Sequence, residues 1–450
     1  MSLGMFESFI TAHWFNGEAK AIWSDRATLQ AWLDVEGALA RAQADLGLIP
    51  LDAAEMIQTK AQAAHFDLVR LAHDIAFAQH PLVPALRQFE ELCGEPAAGY
   101  IHWGATTQNI FDTATAVQMK ATHAVLVRHL DAAISSLAKL AQVHVATPMA
   151  GRTHGQHALP ATVGYKVASW MDELDRDRER LIHRLGPSFV VSMGGAIGTF
   201  AAMGRAGRQV QAKVAERLGL AHAGLSSRAS YDRTCDYVGA LGLLCGTAQK
   251  IAQDVVFLQR TEVDEMSEAF YVGKVGSSTM AQKRNPSTAL LLISLSRMMR
   301  ARVSLALESM VRMDEGDSSA TNVTDVLMPE IAILGASIAE TLGRLAAGLV
   351  VHPESMRRNL DSSSGLISSE AVMMRLTQVM GRHEAHHLLY EAAHRARTEG
   401  LSFLDCIRQH PLAARYGLPE DLAVSLDPAR NVGESVALTL ETVDRVMTRG

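Results

Sequence analysis

The sequence predicts an all-α protein. Five long segments read as helices, strand-like alternation is nearly absent, and the composition is that of a large globular chain. The 450 residues are 48% hydrophobic and 20% charged, enough for two or three domains around a sizeable core.

Taken in order, residues 18–48 place Ala21, Ile22, Leu29, Trp32, Leu33, Val35 and Leu39 on or near one helical stripe. Pro50 opens another helix, and 67–88 is helical but broken near Pro81 and Pro84. Residues 94–104 are punctuated by Gly and Pro and lead through a polar stretch into a long helix, for which Asp112 and Thr113 are suitable caps. From 113 to about 145 there is neither Gly nor Pro, and Leu126, Leu130, Ile134, Leu137 and Ala141 recur at spacings of four, four, three and four. At 1.5 Å per residue this helix is roughly 50 Å long. Further long helices are expected at 160–185, 232–268, 287–313 and 324–350. Helices this long exceed the globular average several-fold and are stable only when packed along one another in an extended bundle. Their broad apolar faces imply burial on more than one side, hence a homo-oligomeric bundle. His352-Pro353 stops the last of them, and shorter helices follow, broken at Gly365, Gly381, Gly400, Pro411, Pro419 and Pro428. The expected domains are an N-terminal helical one (1–112), a central long-helix bundle (113–351) and a C-terminal helical one (352–450).

Several classes are set aside by composition. The formal net charge is −6, with no long Lys/Arg run, which argues against nucleic acid or an anionic membrane as a partner. No apolar run is read as approaching the ~18 residues of a membrane span, and no charged-then-apolar secretory signal opens the chain. Residues 1–4 look like an expression leader, with Met5 a plausible natural start. The four cysteines, Cys93, Cys235, Cys245 and Cys406, are scattered without metal-site spacing, so buried thiols in a reduced cytoplasmic chain are expected.

Three polar islands carry the chemistry. The densest is 275–286, VGSSTMAQKRNP, where Gly276, Ser277, Ser278, Lys283, Arg284, Asn285 and Pro286 crowd a connection between two long helices. The second is 151–160, GRTHGQHALP, with Thr153, His154 and His157 on a Gly-rich approach to a helix starting near Pro160. The third is 102–113, where His102, Thr106, Thr107, Gln108 and Asn109 lie beside a helix N-terminus, an anion-binding location. Such islands, converging at helix ends, suit a small dianionic substrate. Their residue types fit β-elimination: removing a proton next to a carboxylate makes a dianionic aci-carboxylate. Donors such as Lys283 and Asn285 could stabilise it. A serine could take the proton if its alkoxide is supported by amides and positive charge, and a histidine could protonate the departing amine.

The loop wording GSSTMxxKRNP closely resembles the signature loop of the fumarase/aspartase superfamily, and the three islands match its three conserved regions in order. The resemblance implies a three-domain all-α fold and a homotetramer around a twenty-helix bundle, with each active site drawn from three subunits and no cofactor. By motif position Ser277 would be the general base and His154 the general acid or its orienter. Lys283 and Asn285 would hold the carboxylate that becomes the aci-carboxylate. Thr106, Thr107 and Thr153 would bind substrate carboxylates, with His102, Gln108 and Ser278 beside them.

Within the superfamily the chain looks like the branch of adenylosuccinate lyase and 3-carboxy-cis,cis-muconate cycloisomerase. GRTHGQHALP and GGAIGT (194–199) resemble the lyase, whereas the opening FITAHWFNGEAKAIW and PESMRRNLDSSSGLISSEAV resemble the cycloisomerase. The lyase's nucleotide-phosphate segment is replaced by residues 13–19, HWFNGEA, and the Arg after its GLIxS stretch by Glu370-Ala371. Both changes argue against a nucleotide. Bacterial cycloisomerases tend to carry Trp where His154 stands. The usual TSxD reads Thr106-Thr107-Gln108-Asn109, and the loop's Pro-His pair reads Ala281-Gln282. The resulting expectation is a fumarate-releasing lyase, eliminating an amine from an N-substituted aspartate through an aci-carboxylate. Carboxymuconate cycloisomerisation is the alternative, and adenylosuccinate cleavage is less favoured.

His383-Glu384-Ala385-His386-His387 satisfies HExxH, a zinc-hydrolase pattern. In an 18-histidine chain it reads as a plain helix of the last domain. Residues 172–180 read as a solvated helix face, and Gly194, Gly195 and Gly198 lack dinucleotide-loop spacing. A non-catalytic bundle protein is the remaining option.

Overall fold

The computed structural model describes residues 4–271, 273 and 275–449. Helices dominate it, as the sequence predicts. The first long stripe is two helices, α1 (Gly17–Ile22) and α2 (Asp25–Asp45), because Ser24 caps the second by accepting the Ala27 N–H. α3 (Leu51–Lys60) follows Pro50 directly, and Asp67 caps α4 (Leu68–Ala78). Gln79, in the left-handed region at φ 50°, ends that helix ahead of α5 (Leu82–Cys93).

α6 (Thr107–Val143) starts six residues before the expected position, with Asp112 and Thr113 inside it rather than capping it. The start is fixed by Asn109, whose Oδ1 accepts the Thr106 N–H while its own N–H donates to the Thr106 carbonyl. The 151–160 island is not a loop at a helix mouth: it forms a hairpin, β1 (Pro148–Thr153) with β2 (Gln156–Thr162). Pro160 lies in the second strand, and α7 (Val163–Ser188) begins after it. Next come β3 (Val190–Val191), α8 (Gly207–Leu218), β4 (Ala221–His222) and α9 (Asp232–Leu258). α9 stops ten residues short of the expected end, giving way to β5 (Met266–Glu268). α10 (Ser287–Glu308) and α11 (Ser318–Ala347) complete the long set, and β6 (Leu349–Val351) pairs antiparallel with β5. The remainder is α12 (Pro353–Asp361), α13 (Ser369–Glu399), α14 (Phe403–Gln409), α15 (Pro411–Tyr416) and α16 (Ser435–Arg449). α13 is kinked at Gly381, which takes φ 74°, ψ 162°.

The chain divides into two compact units, to both of which the five long helices contribute. The first takes residues up to Leu130, Asp177–Gly246 and Ser294–Glu340. In it α2 is buried on two stripes. Leu29 and Leu33 pack with Ile57, Phe66 and Phe89, whereas Val35 and Leu39 pack with Ile110, Val191 and Val214. Small residues let the long helices close up. A Cβ on Gly335 of α11 would lie 3.2 Å from Leu126 of α6 and 3.4 Å from Leu241 of α9.

The second unit takes Asp131–Arg176, Thr247–Ile293 and the chain from Thr341. It holds the hairpin, the β5–β6 pair and a core of Leu376, Leu388, Phe403 and Ile407. At Gly164 a Cβ would meet the Val145 Cα at 2.7 Å, so the turn from hairpin to α7 requires glycine. All four cysteines are free and buried, as expected. Contrary to the sequence reading, α11 is long and apolar enough to cross a membrane. However, 72% of its most apolar 18-residue window is buried, the condition of a core helix.

Candidate active site

In the first unit the island at 102–109 is anchored from below by buried polar groups. His102 sits at φ 60°, in the left-handed region, held by a carboxylate. Glu36 of α2, 2% exposed, accepts the His102 backbone N–H at 3.1 Å and its Nδ1–H at 2.6 Å. Burial disfavours the imidazolium, but the Glu36 hydrogen bond and charge outweigh it, and the His102 pKa is raised. Asn109, 1% exposed, also accepts the Gly195 N–H at 3.1 Å, tying the island to the 194–199 segment. The carboxylate absent from this position relative to TSxD is therefore replaced by a structural amide. Thr106, Thr107 and Gln108 are partly exposed above it, and Gln108 Nε2 donates to Asp112 Oδ1 at 2.6 Å. Asn16, in the segment that replaces the nucleotide-phosphate residues, is likewise structural. It is 4% exposed, accepts the Ala19 N–H at the start of α1 and donates to Glu340 at 3.0 Å.

In the second unit His154 and Gly155 form the two-residue turn of the β1–β2 hairpin, at φ 53° and 77°. Positive φ at both positions is the type I′ geometry that matches strand twist, so the fold presents His154 at an exposed tip, beside exposed Thr153. Two residues earlier, Arg152 fixes the hairpin to the body of the unit. Its Nη1 and Nη2 donate to Glu265 at 2.8 and 2.5 Å, and Glu265 has no exposed side-chain surface. Asn359 Nδ2 donates to the same carboxylate at 2.8 Å, and the Phe257 ring lies 5.4 Å from the guanidinium. Burial lowers the His157 pKa, and the nearby charge of Arg152 lowers it further.

The loop at 275–286 folds back on itself. Ser277 Oγ accepts the N–H groups of Met280 at 3.0 Å and Thr279 at 3.3 Å. Asn285 Nδ2 donates to the Gly276 carbonyl at 2.7 Å, closing the loop. A Cβ on Gly276 would lie 2.3 Å from the Lys283 carbonyl, so only glycine fits. The loop's two ends are clasped together. Glu268, at its start, accepts the Thr288 and Ala289 N–H groups at 3.1 and 2.6 Å, capping α10 beyond its end. Gln259 accepts the Glu268 N–H and donates to the Arg284 carbonyl, each at 3.0 Å. Ser278 and Lys283 are exposed. Among the described residues no hydrogen bond links His154 to Ser277 within the chain.

Sequence reasoning missed Glu36, Glu265, Glu268 and Gln259, which hold these groups in place. Each lies in a stretch that reads as ordinary helix or connector, and only the folded chain reveals its partner.

Residues 16–303 match the lyase family, and residues 365–442 match the adenylosuccinate lyase C-terminus. The N-acetyl-S-(2-succino)cysteine lyase of Dickeya dadantii (strain 3937) is 38% identical over 419 residues, 93% of this chain and 92% of that protein. Its counterpart of the same name from Enterococcus italicus is 37% identical, covering 96% of this chain and 93% of that one. The crystal structure of the 3-carboxy-cis,cis-muconate lactonizing enzyme from Pseudomonas putida superposes with a TM-score of 0.89 at 32% identity. That match covers 97% of this chain and 98% of the other. The protein is thus an all-α lyase. It belongs to the fumarate lyase superfamily.

Proposed function

We propose that the protein releases fumarate by anti β-elimination from a 2-substituted succinate, and that a homotetramer completes each site from three chains. The observation that carries this reading is the environment of Ser277. Two N–H groups already point at its Oγ, so an alkoxide formed there is stabilised without reorganisation. Lys283, in the same loop, adds positive charge. Ser277 then removes the proton next to a substrate carboxylate. Lys283 and Asn285 hold the aci-carboxylate that results. Thr106, Thr107, Thr153, His102, Gln108 and Ser278 bind the carboxylates, and the raised pKa of His102 suits it to an anion. His154, exposed on a pinned hairpin, donates the proton that the leaving group requires. Exposure of both His154 and the loop in a single chain fits a site completed by neighbouring copies.

The sequence favours an amine leaving group, that is, an N-substituted aspartate. A thiol leaving group is the second reading, favoured by the two relatives named for N-acetyl-S-(2-succino)cysteine. Both substrates share the succinyl half on which the proposed residues act. A nucleotide is disfavoured, because Asn16 occupies its segment as a buried cap. The deciding experiment incubates the protein with N-succinyl amino acids, adenylosuccinate, N-acetyl-S-(2-succino)cysteine and 3-carboxymuconate, measuring fumarate by mass spectrometry. Fumarate from a succinyl amine or thioether is the expected result. Turnover of the carboxymuconate alone, or of nothing in the panel, would defeat the reading.

A further inference from the structure

The C-terminal part of the second unit gathers three metal-ligating groups away from the islands described above. His387 and Glu391 stand one turn apart on α13, with His387 Nε2 3.4 Å from Glu391 Oε1. His410, the N-cap of α15, meets them from another segment, its Nε2 2.9 Å from Glu391 Oε2. The imidazole rings meet edge to face with centroids 6.2 Å apart, and all three ligand atoms lie within 4.8 Å of one another. They line a cavity of about 430 Å³ together with His383 and Glu384. His410 is 8% exposed, whereas His387 and Glu391 are 56% and 50% exposed, so solvent reaches the cluster from one side.

We propose that His387, Glu391 and His410 bind a divalent transition cation of the zinc class, with His383, one turn earlier on α13, lining the same cavity. Two imidazoles and a carboxylate are a borderline donor set that suits zinc and disfavours calcium or magnesium. Metal–ligand bonds of about 2.0–2.2 Å in a tetrahedral shell put neighbouring donor atoms roughly 3.3 Å apart. The two separations to Glu391 are already close to that.

Binding has an identifiable cost. His410 Nδ1 accepts the Leu412 N–H at 3.2 Å, so its Nε2 carries the ring proton and donates to Glu391. A cation at Nε2 moves that proton to Nδ1 and gives up the Leu412 cap bond. A coordinate clip between α13 and the start of α15 replaces a hydrogen-bonded one. The HExxH pattern points to this helix but to the wrong partners: His387 works with Glu391 and a histidine outside the motif.

The test uses the untagged full-length protein, stripped with a chelator and dialysed, then titrated with zinc chloride by calorimetry while bound zinc is counted. The expected result is one zinc per chain with affinity on the order of micromolar and a rise in Tm. His387→Ala and Glu391→Gln, at half-exposed positions that leave the fold intact, should each weaken binding by about tenfold or more. Absence of zinc uptake, or uptake unchanged in either variant, would overturn the proposal.

Discussion

Arg152 and Glu265 form a buried, two-pronged ion pair, 2.8 and 2.5 Å long, two residues before the exposed His154. The pair lies beneath the hairpin, where the Asn359 amide satisfies one carboxylate oxygen further. Removing one member leaves the other charged and buried, which typically costs about 3–5 kcal/mol. Glu265→Ala is therefore expected to lower stability by that order in urea denaturation. It should also reduce kcat more than KM, because the hairpin that carries the proposed acid loses its anchor.

Gly276 makes a second, separable prediction. A methyl group there would press on the Lys283 carbonyl, at 2.3 Å, within an otherwise exposed loop. Gly276→Ala should displace Ser277 with little effect on Tm. Misplacement by about 1 Å can cost on the order of 10²-fold in rate, and fumarate formation measured beside a melting curve checks both halves.

The Glu36–His102 pair predicts a pH dependence of stability. The folded-state pKa of His102 is raised above its unfolded value, burial notwithstanding, by the Glu36 hydrogen bond and charge. The contribution is thus complete below the unfolded value of about 6.5 and is lost as pH rises through the raised folded value. Wild-type Tm should fall with rising pH over that window more steeply than Glu36→Gln. Parallel profiles would contradict this.

His154 should matter in proportion to the leaving group. An alkyl amine whose conjugate acid titrates at about 10 already carries its extra proton at neutral pH and can depart as neutral amine. A thioether sulfur carries none and departs as a thiolate, conjugate base of a thiol with a pKa of about 8.5, unless an acid protonates it. Asn tolerates the left-handed turn position, so His154→Asn should keep the hairpin. The expected loss is about 10²-fold with a succinyl thioether and smaller with a succinyl alkyl amine, read by comparing kcat for the two substrates.

Much of the fold was legible in the sequence because long helices leave a periodic trace. Leu126, Leu130, Ile134 and Leu137 announce α6, and all four are buried. Its start is hidden because Asp112 and Thr113 look like caps, whereas the cap works through Asn109, whose side chain also accepts the N–H of Gly195 far along the chain. The hairpin is hidden for a related reason. Pro160 signals a helix start, but it follows a turn whose type is set by backbone angles at His154 and Gly155. The three islands stood out by composition and wording. Their supports did not, since Glu36 and Glu265 look like surface residues until folding buries them.

The proposed elimination depends on Ser277 as the base, and substitution of that one side chain tests it most directly. Wild type and Ser277→Ala are compared on the best fumarate-yielding substrate of the panel, with Tm measured alongside. A fall in kcat of about 10³-fold or more at unchanged Tm is the predicted result. Fumarate released by Ser277→Ala at the wild-type rate would contradict it.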